Sequence, residues 1–195
     1  MNFLRKIYDL VLKWSASKNA VYYLFAVAFI ESSFFPIPPD IMLIPMILAA
    51  KDNAWRYAGI ATIASVLGGY FGYAIGMFFF EIIAKPLIEF YHLMPQFEEF
   101  KSYYAQYGSW IVFGAGITPF PYKIITIASG AVSLNLTVFT IASVLARGLR
   151  FYIIAALLYK FGTPMKSFIE KNLGLLSILF FIALITGFYA VKFLH

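Results

Sequence analysis

The chain of 195 residues is 62% hydrophobic and 20% aromatic but only 12% charged, with a mean hydropathy of +0.82, far from the composition of soluble domains. These values predict an integral membrane protein of one domain with a few spans, because each crossing takes roughly 20 apolar residues. A net charge of +6, spread along the chain and broken by apolar runs, argues against a nucleic-acid-binding stripe and for contact with lipid phosphates; with no cysteine and only His92 and His195, neither disulfides, a metal nor a cofactor is expected.

Residues 1–18 place Phe3, Ile7, Leu10, Val11 and Trp14 at helical spacing opposite Arg5, Lys6 and Lys13. That pattern predicts an N-terminal amphipathic helix in the membrane interface, and Asp9 and Lys13 interrupt it too early for a signal peptide. Residues 21–50 are apolar but contain Pro36, Pro38 and Pro39, which remove amide donors and push their predecessors out of the helical region. The run must break near its middle. Each side then holds about 15 residues, roughly 22 Å of helix against a hydrocarbon core of roughly 30 Å. Two half-helices meeting inside the membrane make a re-entrant hairpin, tolerated where protein or water surrounds the break.

Residues 58–80 read as a transmembrane helix with Gly68, Gly72 and Gly76 at four-residue spacing, which admits a second helix at close range. The segment 81–107 turns polar, and Leu93, Phe97, Phe100, Tyr104 and Tyr107 form a stripe beside Glu98, Glu99 and Lys101. This predicts a segment lying on the membrane. Residues 108–134 are again apolar and again broken, by Pro119 and Pro121, and so form a second re-entrant hairpin. Residues 135–160 and 173–194 complete the pattern as transmembrane helices. The tripeptide Asn135-Leu136-Thr137 fits a glycosylation acceptor, but at the start of a span the match reads as accidental.

The two broken segments are related. "PIPPD" at 36–40 and "PFPYK" at 119–123 share Pro-x-Pro followed two residues later by a charge, and the hexapeptide "TIASVL" stands at both 62–67 and 140–145. The order hairpin, charge, span therefore occurs twice, which predicts an internal duplication. A single span between the hairpins inserts them from opposite faces. The fold expected is an all-α inverted repeat of re-entrant hairpin plus transmembrane helix, an architecture of transporters. Basic residues in the N-terminal arm and the 51–57 loop, against Glu81, Glu89, Glu98 and Glu99 beyond the first span, place the N-terminus in the cytoplasm of a multi-pass protein of the inner or plasma membrane.

With the two hexapeptides in register, Gly69 stands opposite Arg147 and Gly72 opposite Arg150. Glu31, Asp40, Lys123, Arg147 and Arg150 all fall at or near membrane depth, where each costs roughly 2.5–3.5 kcal/mol unless it faces protein, water or a partner. Asp40 can also cap the half-helix it begins, and Thr118 can cap likewise. Three cations against two anions leave an excess that suits a transient anion, such as a lipid phosphate. Prolines 36, 38, 119 and 121 shape the hairpin turns and free half-helix N-termini toward the same place. Arg147, Arg150 and Lys123 are the candidate substrate contacts; Glu31 and Asp40 are the candidate ion-pair and proton-coupling groups.

Glu31 followed by "FFPIPPD", a second broken segment leading to Gly130, and "ARGLRFY" at 146–152 resemble the DedA family, which shares its core with the VTT (SNARE-associated Golgi protein) domain. The likeness covers about residues 20–160 and is nearest to the small YqaA-like branch. It implies movement of a polar lipid across the bilayer, undecaprenyl phosphate or a phospholipid, with proton coupling and no enzymatic step. In the second hairpin "TPFPYK" stands where the family carries Arg-x-x-Pro-x-x-Arg, and Lys123 is its one cation. The competing functions are a membrane scaffold or assembly factor whose buried charges serve folding, and a lipid-modifying enzyme, which would need a nucleophile and base that the two outlying histidines do not supply.

Overall fold

The computed structural model describes residues 10, 13–34, 38–118 and 120–162. The expected amphipathic helix at 1–18 lies mostly outside them, as do Pro36, Pro119 and the whole expected span 173–194. The described residues are helical, without strands: α1 (Ala20–Ser33), α2 (Asp40–Ala49), α3 (Ala54–Phe79), α4 (Lys85–Phe90), α5 (Met94–Ile117), α6 (Tyr122–Ala131) and α7 (Leu136–Phe161).

Both proline-bearing segments break where the missing amides require it. Helix α1 stops at Ser33 and α2 starts at Asp40, directly after Pro39; α5 stops at Ile117 and α6 starts at Tyr122, directly after Pro121. A 3₁₀ turn at Lys51–Asn53 leads into α3, and a π-helical turn at Phe80–Ala84 joins α3 to α4, so 51–90 is continuously helical. Two helical stretches, 51–90 and Leu136–Phe161, are long and apolar enough to cross a membrane. Their outer faces carry Ile63, Leu67, Phe71 and Met77 on one and Ile141, Leu145, Leu149 and Ile153 on the other, all exposed. Apolar surface on that scale needs a non-aqueous cover.

Helices α3 and α7 lie side by side and antiparallel. Trp55 at the start of α3 stands 6.1 Å from Tyr152 and 6.0 Å from Tyr159 near the end of α7, while Tyr70 bonds Thr140 near its beginning at 2.8 Å. The first arm of each broken segment follows the long helix of its own half: α1 packs on α3, and α5 on α7. The second arms cross over. Helix α6 packs along α3, and α2 reaches α7 as well as α3. Glycine makes the α3–α6 crossing close: a Cβ on Gly76 would collide with the carbonyl of Ile127, and one on Gly130 with the carbonyl of Tyr73. Gly68 gives the same access to α1, at the Phe29 carbonyl.

Two findings depart from the sequence reading. Helix α5 runs unbroken from Met94 to Ile117, so the boundary expected at 107/108 has no counterpart in the backbone. The aromatic stripe of 93–107 is also divided between two surroundings. Tyr104 is buried and its hydroxyl meets Ser129 at 3.0 Å, and Phe97 stacks on Phe80 at 4.6 Å, whereas Leu93 and Phe100 stay exposed. Amphipathic periodicity reports an apolar face but not whether protein or lipid covers it. Asn135, read as an accidental acceptor motif, is the N-cap of α7: its Oδ1 accepts from the amides of Thr137 at 2.9 Å and Val138 at 3.2 Å.

The interior has two hydrophobic clusters with a polar layer between them. One gathers Leu24, Met42, Leu43, Ile47, Phe151 and Leu158 from α1, α2 and α7 with the alanines of α3. The other gathers Tyr104, Val112, Tyr122, Leu134 and Phe139 from α5, α6, the turn after it and the start of α7. Buried Ser32, Ser33, Asp40, Ser65, Thr118, Thr126, Ser143 and Arg147 make up the layer between.

Candidate functional site: a buried charged layer

Four of the five charges singled out from the sequence meet in that layer. Arg147 and Arg150 project from the middle of α7 three residues apart, and so from one face. Glu31 sits in the last turn of α1 and Asp40 is the first residue of α2, so the first half supplies one carboxylate on each side of its break. Arg147 Nη2 donates to Glu31 Oε2 at 2.8 Å, and Arg150 Nη2 donates to Asp40 Oδ2 at 2.5 Å. The side chains are 1% and 15% exposed in the first pair, 13% and 8% in the second, which places both in surroundings where a lone charge could not remain.

The two pairs differ in support. Arg147 Nε donates to Ser65 Oγ at 2.5 Å, and its guanidinium lies 5.0 Å from the ring centre of Tyr122 and 4.8 Å from that of Phe151. Ser65 Oγ is 2.6 Å from Ser32 Oγ, which in turn donates to Glu31 Oε2 at 3.2 Å. Among the described residues Arg150 has one further hydrogen bond, from Nη1 to the Thr118 carbonyl at 2.8 Å. Asp40 Oδ1 is buried with no hydrogen-bond partner among the described residues. Among the described residues the first pair is braced by two serine hydroxyls, while the second leaves one buried carboxylate oxygen without a partner.

Hydroxyls tie the layer to both halves. Thr126 of α6 donates to the Ser32 carbonyl at the end of α1 at 3.1 Å, Ser33 donates to the Gly68 carbonyl at 3.0 Å, and Tyr122 donates to Ser143 at 2.5 Å. Thr118 donates back to the Gly114 carbonyl at 2.9 Å, closing the end of α5 rather than capping α6. Ser32, Ser65, Tyr122 and Thr126 were not anticipated as site residues. Their signal is a hydroxyl inside an otherwise apolar run, and the serine of each "TIASVL" copy is such a signal.

Lys123 does not join the cluster. It sits in the first turn of α6, half-buried, and makes no ion pair among the described residues. The four clustered charges therefore form two neutral pairs, without the excess cation that simple counting of five gave. A shallow groove of about 430 Å³ lies elsewhere, between α5 and α7, and is lined by Trp110, Phe113, Ile141 and Leu145 among others with none of the charged residues. His92 is exposed in the turn between α4 and α5, remote in sequence from every member of the layer.

Broken apolar segments flank two antiparallel apolar helices, each long enough to cross a membrane, with paired charges buried between them. The VTT domain, the domain of the DedA proteins, matches residues 37–160, and the chain belongs to that family, whose members are membrane-associated. It is similar to an uncharacterised protein of Haemophilus influenzae, 31% identical over 192 residues that cover 98% of this chain and 100% of the relative. A second relative, from Histophilus somni and described as an uncharacterised HI0703 homologue, is 32% identical over 174 residues, 87% of this chain and 91% of its own. No solved structure matches.

Proposed function

We propose that the protein is a multi-pass transporter that moves a phosphate-bearing lipid across the bilayer, with the two broken segments re-entering the membrane from opposite faces as an inverted repeat. Arg150 carries the reading. This one side chain holds Asp40 at the start of α2 and the Thr118 carbonyl at the end of α5, so it links both breaks at once. A phosphate that took the guanidinium, whose planar fork suits two phosphate oxygens, would release both contacts together. The carboxylates then re-pair with the arginines when the lipid leaves, and the site resets. Glu31 and Asp40 are the groups that take up a proton while lipid occupies the arginines, which couples movement to pH.

The antiparallel α3 and α7 and their crossed second arms support the inverted arrangement. Lys51, Arg56 and Lys160 gather at the end of the molecule where Lys51 approaches Gly162, while Glu81, Glu89, Glu98 and Glu99 follow the other end of α3. That asymmetry supports a cytoplasmic N-terminus in an inner or plasma membrane. The test is a headgroup-accessibility assay in proteoliposomes across pH. Wild type should move an anionic, phosphate-bearing lipid, Arg150→Lys should move it poorly, and Glu31→Gln should lose the pH dependence. No movement by wild type with any such lipid rejects the transporter, and equal movement by all three rejects the roles given to Arg150 and Glu31. The second reading, a scaffold whose charges serve folding alone, is favoured by the complete internal pairing of the four charges.

A further inference from the structure

We propose that the two arginines of α7 have separate jobs: Arg147 is a fixed anchor, Arg150 alone exchanges its carboxylate for a phosphate group, and Ser65, Ser143 and Tyr122 are the positioning residues that enforce the division. The proposal rests on the transport reading for the identity of the anion, narrows the exchanging and proton-accepting carboxylate of that reading from the pair to Asp40, and rests on geometry for the rest.

Arg147 belongs to a closed ring of four side chains. Its Nε donates to Ser65 Oγ, the Ser65 hydroxyl is left to donate to Ser32 Oγ, the Ser32 hydroxyl donates to Glu31 Oε2, and Nη2 of Arg147 donates to the same carboxylate oxygen. Each of these four hydrogens has one acceptor, and the two paths that leave Arg147 converge on Glu31 Oε2. The rings of Tyr122 and Phe151 also pack within 5.0 Å of the guanidinium, which is 1% exposed and so leaves little room for an incoming anion. Tyr122 is itself held by its hydroxyl on Ser143. Removing Glu31 from Arg147 would break two of the four hydrogen bonds, those of Arg147 and Ser32 to Oε2, beside a guanidinium whose side chain is 1% exposed.

Arg150 faces a lower cost. Its Nε donates to no described residue, its carboxylate partner has one oxygen without a partner among the described residues, and its remaining acceptor is a backbone carbonyl beside a helix break. A phosphate can satisfy the fork that Asp40 satisfies at one oxygen. The duplicated hexapeptide now has a use. Its serines, Ser65 and Ser143, both serve Arg147, one by direct hydrogen bond and the other through Tyr122. The first half carries Gly69 and Gly72 where the second carries the two arginines, so the exchangeable cation exists on one side only.

The chain has four arginines, Arg5, Arg56, Arg147 and Arg150, so protein labelled with ¹⁵N-arginine in a maltoside micelle gives four Nε signals, assigned by single Arg→Lys replacements. Titration with dodecyl phosphate should shift the Arg150 signal and leave Arg147 in place; inorganic phosphate in a parallel arm tells a free anion from a lipid-like headgroup. In Ser65→Ala the Arg147 Nε proton should exchange roughly tenfold faster and its signal should become phosphate-responsive, because the local ring has opened. Ser65→Thr should restore the wild-type behaviour, and Tyr122→Phe provides the same test without removing the ring contact should Ser65→Ala not fold. An Arg147 shift as large as that of Arg150 in wild type overturns the division. An unaltered Arg147 in both Ser65→Ala and Tyr122→Phe overturns the positioning role. If neither arginine responds to either phosphate, the Arg150 assignment falls; lipid movement measured separately in liposomes then decides whether the transport reading falls with it.

Discussion

The two long helices receive the opposite half in different ways. Helix α3 takes α6 through glycines, backbone against backbone, with Gly76 at the Ile127 carbonyl and Gly130 at that of Tyr73. Helix α7 takes the ends of α1 and α2 through arginines that span the gap to Glu31 and Asp40. The first contact cannot open without losing dispersion along its whole length, because close packing has no spare volume to rearrange. On the reading proposed above, the second exchanges a partner at Arg150, which would make one wall rigid and the other switched.

The comparison breaks most visibly at Arg147. Arg147→Ala leaves the Glu31 carboxylate unpaired in a buried site, a loss of roughly 3–5 kcal/mol, and the expected outcome is little folded protein by size exclusion and a steep fall in melting temperature. A melting temperature within a degree or two of wild type would show that the paired wall contributes nothing to stability.

The rigid wall is tested by Gly76→Ala. Its new methyl meets backbone that has no rotamer to change, which predicts a destabilisation of about 1–3 kcal/mol. Unfolding in detergent should report it, and an unchanged midpoint would mean that α6 is free to move off α3. Asn135→Ala removes the cap that orients the start of α7 and should cost about 1 kcal/mol, with Asn135→Asp recovering most of it. The smallest stability effect, less than about 1 kcal/mol, is expected for Arg150→Lys, which keeps the charge beside Asp40. Lipid movement by that variant should nevertheless fall. Equal lipid movement at equal stability would make the switched wall as inert as the glycine one.

How much of this was legible in the sequence depends on what each signal measures. Proline acts on its own backbone and the preceding residue, so both breaks were predictable to within a few positions. Gly68, Gly72 and Gly76 implied a close helix, and the structure assigns the partners: α1 at Gly68, α6 at Gly76, and both near Gly72 through Thr126 and the Ser32 carbonyl. Charges in an apolar run imply partners, and Glu31, Asp40, Arg147 and Arg150 found them. Lys123 did not, because its side chain is half-exposed and a lysine there can keep its ammonium at a surface. Long-range hydroxyl contacts such as Thr126 to Ser32, 94 residues apart, leave no periodicity to read. The split of the 93–107 stripe between protein and exterior was likewise beyond any single-helix pattern.

Glu31 and Asp40 also set a problem of timing. Their partners come 116 and 110 residues later in the chain, and at ~5–20 residues per second the ribosome takes roughly 5–23 s to deliver them. On the membrane reading, the first half therefore enters the bilayer with two carboxylates that nothing yet neutralises. They must wait protonated, near the headgroups, or beside an insertion factor until α7 arrives. Synthesis order makes the second half the one that completes the first, and a chain cut before Arg147 would be left holding acids in oil.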